Sequence, residues 1–310
     1  MSYASSGLTQ ATDYNGFIST NTPNVNAIWS TGSGNSGYGQ TALATISADS
    51  LIFASSWLNL INTIGTSASH QGTSLSSYID STPIMGDLIR YESVLSSNIN
   101  AINTNRLNAI AQGSTSSTTA TSASTWSNSL TITFTVTYAN ANSARYFFNA
   151  GGQIGFNFSH PAGSGTTINL RINDLCSDAG TVWLSSPVTG SVSLAGTPYN
   201  GVTKSGGSNP SGATISTNNG FYALTSGSTQ LFQQTSDIGV YTLYSGTFLR
   251  ISASNNGAGV LTFTCLLDEI PDGATVSTGT QATLTLRPPS TTYLTNSWGS
   301  PAVAFSIVAT

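Results

Sequence analysis

At about residue 129 the spacing of apolar side chains changes, and no single kind of secondary structure satisfies both spacings. In SLTITFTVTYAN, Leu130, Ile132, Phe134, Val136 and Tyr138 alternate with threonine. This is the period of a strand with one face buried. Earlier, in SADSLIFASSWLNLINTIG, the residues Leu51, Phe53, Ala54, Trp57, Leu58, Ile61 and Ile64 recur at threes and fours, the period of a helix. The expected fold class is therefore α+β, with a helical N-terminal part followed by a mainly antiparallel, β-sandwich-like C-terminal part.

The first helix has Asp49 or Ser50 available as N-cap and Gly65 as a stop. A second stripe runs through Leu88, Tyr91, Leu95, Ile99, Ile102 and Ile110, after Asp87 and before Gly113, and predicts a helix of about six turns. Its Asn and Ser residues are poor helix formers, so the stripe needs a partner, either the first helix or a second copy of the chain. Residues 113–128, GSTSSTTATSASTWSN, are of low complexity and read as a connection. The expected organisation is a helical attachment or assembly domain over 1–112, this Ser/Thr-rich connection, and a β-rich domain over 129–310. Further strand candidates are RYFFN, QIGFNF, TVWLS, GFYAL, QLFQQ, FLRISAS, VLTFTCLLD, ATLTLR and AVAFSIVA, separated by Gly, Asn, Ser and Pro.

RYFFN and QIGFNF are joined by AGG, where glycines supply the positive φ a tight turn demands. This reads as a structural hairpin built from Arg145, Tyr146, Phe147, Phe148, Gly151 and Gly152, with the aromatics in a core and Arg145 tying down a carboxylate or a carbonyl. The glycine-rich WSTGSGNSGYGQ, residues 29–40, has no preceding strand and no Walker lysine, so it reads as a tight surface loop and not as a phosphate cradle.

Only 6% of residues are charged, against roughly 25% in average proteins. Solubility must then come from hydroxyls and amides. Lys204 is the single lysine, the arginines are scattered singly, and the formal net charge is -4, which argues against nucleic acid as a partner. No apolar run reaches the roughly 18–20 residues of a membrane span, and the opening MSYASSGLTQATDY lacks the pattern of a secretory signal. Cys176 and Cys265 read as buried free thiols.

The catalytic pool is small. His70 and His160 are the only histidines, they fall in different expected domains, and no GxSxG elbow surrounds a serine. The acidic groups Asp268, Glu269 and Asp272, and Asp174 with Asp178, lack the spacing of an EF-hand loop, and no zinc pattern exists. The expectation is a non-enzyme without cofactor or metal.

Several stretches in order along the chain carry a resemblance: DYNGF (13–17), GSGNSGYGQ (32–40), a Trp-bearing helix ending near HQG (57–72), GDLI with NRL (86–107), ARYFFNAGGQIGFNFSHP, and the later pattern GFYALT, LFQQTS, YTLYSGTFLRISAS and VLTFTCLLDE. They resemble the virion structural and fibre-like proteins of tailed bacteriophages, those of cyanophages and related marine phages above all. The resemblance implies a tail, fibre or baseplate component, assembled in the host cytoplasm and located in the virion, whose partners are other virion proteins and copies of itself. It also implies a helix over TINLRINDLCSD, where the alternation in INLRI fits a strand equally well. The alternative function is a receptor-binding module holding host surface glycan on Tyr199, Tyr222, Tyr241 and Tyr244 of the β-rich part.

Overall fold

The computed structural model describes residues 11–48, 50, 52–77, 92–161, 165–236, 246–268 and 274–310. Its N-terminal part is helical: α1 (Ala11–Asn15) runs into a π-helical turn (Gly16–Thr20), followed by α2 (Val25–Trp29), α3 (Ala54–Gln71) and α4 (Glu92–Thr104). The rest of the described residues are mainly antiparallel sheet, with two further α-helices among them. The chain is α+β, as the two periods predict.

Two sheets face each other. One has six strands, formed by β2 (Ser129–Thr137), β8 (Ala213–Ile215), β9 (Thr229–Thr235), β10 (Phe248–Asn255), β11 (Val260–Asp268) and β13 (Ala302–Ala309), in the order β13-β2-β11-β10-β9-β8. The other has five, formed by β1 (Ser116–Thr121), β3 (Gln153–Ser159), β4 (Thr181–Leu184), β7 (Val202–Ser205) and β12 (Gln281–Arg287), in the order β1-β12-β3-β4-β7. A small hairpin of β5 (Val192–Leu194) and β6 (Thr197–Tyr199) stands apart from both.

The alternation in β2 does what the sequence indicates. Leu130, Ile132, Phe134 and Val136 are fully buried, and the threonines between them are half-buried or exposed. The Phe156 ring of β3 meets Phe134 at 6.5 Å and Phe263 of β11 at 4.9 Å between centroids, so one aromatic ring ties the sheets face to face.

The aromatic stretch at 144–158 is not a hairpin. Residues Ala141–Asn149 form helix α5, which leads from β2 in one sheet to β3 in the other. The Asn140 side chain accepts a hydrogen bond from the Ser143 amide at 2.9 Å, which caps the helix N-terminus. Ala144, Phe147 and Phe148 then fall on one buried face at helical spacing. Gly151 and Gly152 follow the helix, and the Gly152 amide donates to the Phe147 carbonyl at 2.8 Å. A Cβ on Gly152 would lie 2.6 Å from the Phe147 ring, so these glycines permit close approach after a helix where the sequence reading has a β-turn. Only QIGFNF is a strand.

Other boundaries move for local reasons. α3 continues through Gly65, where a Cβ would meet open space, and stops at Gly72, whose φ of +69° closes the helix. Asp49, Asp87, Leu88 and Tyr91 lie outside the described residues. α4 ends at Thr104, short of Ile110, because the chain turns at 105–108 and Ala109 bridges to Leu194. GFYAL holds a single 3-10 turn, Phe221–Ala223, with Gly220 lodged against the Pro187 carbonyl, only 2.0 Å from where a Cβ would stand. Within the Ser/Thr-rich connection, Ser116–Thr121 pairs with β12, and its hydroxyls meet those of the partner strand at 2.9 Å for Ser117 with Thr285 and for Thr119 with Thr283. TINLRINDLCSD is helical: α6, Thr167–Ala179, packs against β3, β9 and β10, as the resemblance implies.

One contiguous hydrophobic cluster runs from Tyr14, Trp57, Leu60 and Ile64 through Phe147 and Phe148 to Leu284 and Trp298. The helices and the sandwich therefore share a core. No helix among the described residues is long and apolar enough to cross a membrane.

The cap separates a helix from a hairpin at residues 141–149. Asn140→Ala is expected to lower stability by about 1 kcal/mol, and Asn140→Asp, which keeps a capping oxygen, to cost a few tenths at most. Urea unfolding of the two variants measures the difference.

Candidate functional site

The most elaborate polar arrangement gathers around the glycine-rich loop, Thr31–Gly37. Gly32, Gly34 and Gly37 have φ of +51°, +52° and +95°, a conformation available to glycine at little cost, and this turns successive carbonyls toward α5. Arg145 meets them there. Its Nη1 donates to the carbonyls of Gly34 (3.2 Å) and Ser36 (3.0 Å), and its Nη2 to that of Thr31 (2.7 Å) and to Asn142 Oδ1 (3.1 Å). Of the two roles read for Arg145, the structure shows the carbonyl clamp.

Three neighbours complete it: Asn149 and Arg106, which sequence reasoning missed, and Tyr222, which it read as a glycan contact. Asn149 Nδ2 donates to Gly37 at 3.0 Å, and the Tyr222 hydroxyl is 2.8 Å from the Gly34 carbonyl and 2.6 Å from Asn149 Oδ1. Arg106 Nε and Nη2 donate to the backbone and side-chain oxygens of Asn35 at 2.9 and 2.8 Å. The loop is thus gripped from α5, from the end of α4 and from the 221–223 turn. The signal for this in the sequence was the spacing of Gly32, Gly34, Gly37 and Gly39 together with arginines lacking acidic neighbours.

Behind the loop, Tyr38 is buried and its hydroxyl donates to the Arg106 carbonyl at 2.7 Å while accepting from Gln71 Nε2 at 2.7 Å. Burial pushes its phenol well above the usual range. The His70 ring packs edge-on against Tyr38 at 5.3 Å. His70 is 1% exposed, and among the described residues its Nε2 has no hydrogen-bonding partner. Burial holds its pKa down at about 4, against a smaller opposing effect of a hydrogen bond to the Ala150 backbone.

His160 sits elsewhere, between β3 and α6. Its Nδ1 is 2.8 Å from Thr280 Oγ1, and its Nε2 is 3.1 Å from Asn169 Oδ1 and 3.5 Å from Ser277 Oγ. Ser277, His160 and Asn169 look like a nucleophile, a base and an orienting group, but the bonding runs the wrong way. Asn169 Oδ1 accepts from the Ser277 amide at 2.9 Å, which fixes that oxygen toward Nε2. Nε2 must then carry the proton, and Nδ1 accepts from Thr280. A protonated Nε2 cannot take a proton from Ser277, so the group is a buried lock between α6 and the loop before β12.

The remaining sequence candidates are placed as follows. Leu95, Ile99 and Ile102 are 1%, 2% and 0% exposed, because α4 turns them onto α3 and the shared core. They cannot present a docking face to another protein, and the first helix is the partner they required. Ile110 is exposed and off the helix. Asn98, in the same stripe, is buried and brackets Ser76, accepting from its amide at 2.8 Å and donating to its carbonyl at 3.1 Å. Tyr199, the last residue of β6, is buried, with its hydroxyl 3.3 Å from Arg287 Nη1, while the Arg287 guanidinium lies 3.7 Å from the Trp183 ring centroid. Tyr199 is therefore buried and Tyr222 half-buried, each with its hydroxyl engaged by the chain itself, and Tyr241 and Tyr244 lie outside the described residues. Asp174 and Asp178 are on α6, Asp178 accepting from the Ser208 hydroxyl. Glu269 and Asp272 lie outside the described residues, among which no cluster of His, Cys, Asp or Glu could hold a metal ion. Cys176 and Cys265 are buried free thiols, and burial raises the Cys176 pKa to about 12.

Two outcomes follow from these contacts. Arg145→Ala is expected to destabilise the protein by about 2–3 kcal/mol, and Arg145→Lys to recover little of that, since an ammonium cannot span three carbonyls; denaturant midpoints check both. For His70 the folded pKa lies below the unfolded value of about 6.5, so its contribution is present above that pH and is lost as pH falls toward 4. The loss amounts to roughly 3 kcal/mol. His70→Gln should flatten the stability-versus-pH curve between those limits, which thermal melts at stepped pH would show.

Compared with protein-family models, curated proteins and solved structures, the chain matches none of them.

Proposed function

We propose that this chain is a non-enzymatic structural component of a tailed-phage virion, working in the tail, a fibre or the baseplate. The observation that carries the reading is where the chain spends its scarce chemistry. Arg106 and Arg145 hold backbone carbonyls of the 31–37 loop, Arg287 stacks on Trp183, and both histidines are buried in the fold. These groups build a shape and present nothing to a substrate. The ordered resemblance to virion structural proteins supplies the biological setting, and a surface of hydroxyls and amides suits a part that must hold in changing salt, because it relies little on screened charge pairs.

Docking to a neighbour uses a surface other than the 88–110 stripe, whose described core-facing members are covered by the chain itself. The glycan-receptor reading loses the two described tyrosines on which it rested, since both are engaged internally.

The test is location. Antibodies raised against the purified chain, applied as immunogold to density-gradient-purified particles of the phage that encodes it, should decorate the tail or its tip, with peptides of the chain recovered from the same particles by mass spectrometry. Particles without the chain, together with abundant chain in the soluble lysate, would refute the proposal.

A further inference from the structure

The open edges of the two sheets are not treated alike. An edge strand offers unpaired N–H and C=O groups to any other strand, and proteins blunt such edges by shortness, charge, proline or bulges. β8 has only three residues and follows Pro210. β7 has four and carries Lys204, the chain's single lysine. β1 presents a surface of serine and threonine. β13 has none of these devices: AVAFSIVA is eight residues long, without charge or proline, and pairs with β2 in unbroken register from Ala302↔Thr137 to Ala309↔Leu130.

Its exposure matches. Phe305 is 47% and Val308 57% exposed. The Phe305 ring points to the core side, 6.1 Å from Phe134, so Val303, Phe305 and Ile307 form the incompletely covered rim of the sandwich core. On the outer face stand Ala302, Ala304, Ser306 and Val308, mostly small. Thr310 donates from its amide to the Ser129 carbonyl. Carried back along the register, that bond directs the even-numbered residues toward β2 and leaves the backbone groups of Val303, Phe305, Ile307 and Ala309 facing outward.

We infer that β13 is a homodimer interface, at which a second copy of this chain adds its own β13 antiparallel about a two-fold axis and joins two six-stranded sheets into one of twelve. The chemistry selects the occupant. The apolar rim on the core side of β13 would strand a charge that a partner brought against it, so the added strand must be apolar on its core-facing side. Among the described edges of this chain, β13 itself is the one that qualifies. An isologous pairing is self-complementary by symmetry. With the axis at Phe305, Val303 lies opposite Ile307 of the partner subunit, and the two Phe305 rings, half-exposed in one copy, cover each other. Ala304 then lies opposite Ser306 of the partner subunit on the outer face. This surface does not depend on the chain being a virion part.

The full-length chain is expected to sediment at micromolar concentration with twice the 31.9 kDa chain mass. The double variant Ala304→Glu/Ser306→Glu alters only exposed outer-face positions and sets like charges opposite one another across the axis. It should weaken dimerisation by about tenfold or more while leaving the circular dichroism spectrum intact. Ala304→Glu/Ser306→Lys places each glutamate opposite a lysine and should restore the dimer. A wild-type chain that stays monomeric over the whole concentration range, or a dimer indifferent to the double-glutamate variant, would overturn the inference.

Discussion

The fold depends on one nine-residue helix that does two jobs with opposite faces. α5 carries the chain from the six-stranded sheet to the five-stranded one. Its inward face inserts Phe147 and Phe148, both fully buried, with Phe147 edge-on to Tyr138 at 5.4 Å and Phe148 stacked on Phe221 at 4.3 Å. Its outward face holds Arg145 against the carbonyls of a loop that belongs to the helical part. Gly39, with a φ of +71°, comes so near that a Cβ there would be 2.4 Å from the Tyr146 ring. Apolar burial supplies most of the energy of this junction and the guanidinium supplies its orientation. That junction is why a charge-poor chain concentrates aromatics and an arginine in this stretch.

The same economy recurs across the molecule. A chain with 6% charged residues must satisfy buried backbone groups by other means, because each one left unpaired costs free energy. Gln40 fastens the N-terminal loop to the 290–298 segment, accepting from the Thr295 amide at 2.8 Å and donating to its carbonyl at 3.0 Å. Asn98, Asn149, Gln153 and Asn169 are all buried and all hydrogen-bonded. Amides thus take the places that ion pairs fill in more charged proteins. Such contacts are short-ranged and weakly dependent on salt, which agrees with the proposed role of an assembly part.

How much of this was legible in the sequence depended on the range of the controlling interaction. The long alternations of β2, β10, β11, β12 and β13 are local patterns with one dominant outcome, and they read correctly. RYFFN read as a strand because its aromatics favour sheets; the deciding signal was the Asn140 cap and the spacing of Ala144, Phe147 and Phe148, which lies partly upstream of the quoted run. The 88–110 stripe is a real apolar face, but periodicity does not say whether its partner is the chain itself or another molecule, and here α3 covers Leu95, Ile99 and Ile102. The strand at 116–121 was invisible because Ser and Thr carry little apolar period, and its pairing with β12 depends on residues more than 150 positions away. The clamp on the 31–37 loop joins three distant segments, so the glycine spacing announced an unusual backbone without naming what would hold it.

The claim that the helices and the sandwich are one body joined through α5 is tested most directly by native-state hydrogen exchange of the full-length chain, followed by mass spectrometry. If the shared core acts as one cooperative unit, amides of Leu60–Ile64 in α3 and of Ile132–Val136 in β2 will exchange through openings of equal free energy, and Arg145→Ala will lower both. Exchange of α3 at a far smaller opening free energy than β2, unchanged by that substitution, would contradict the account and separate the two parts.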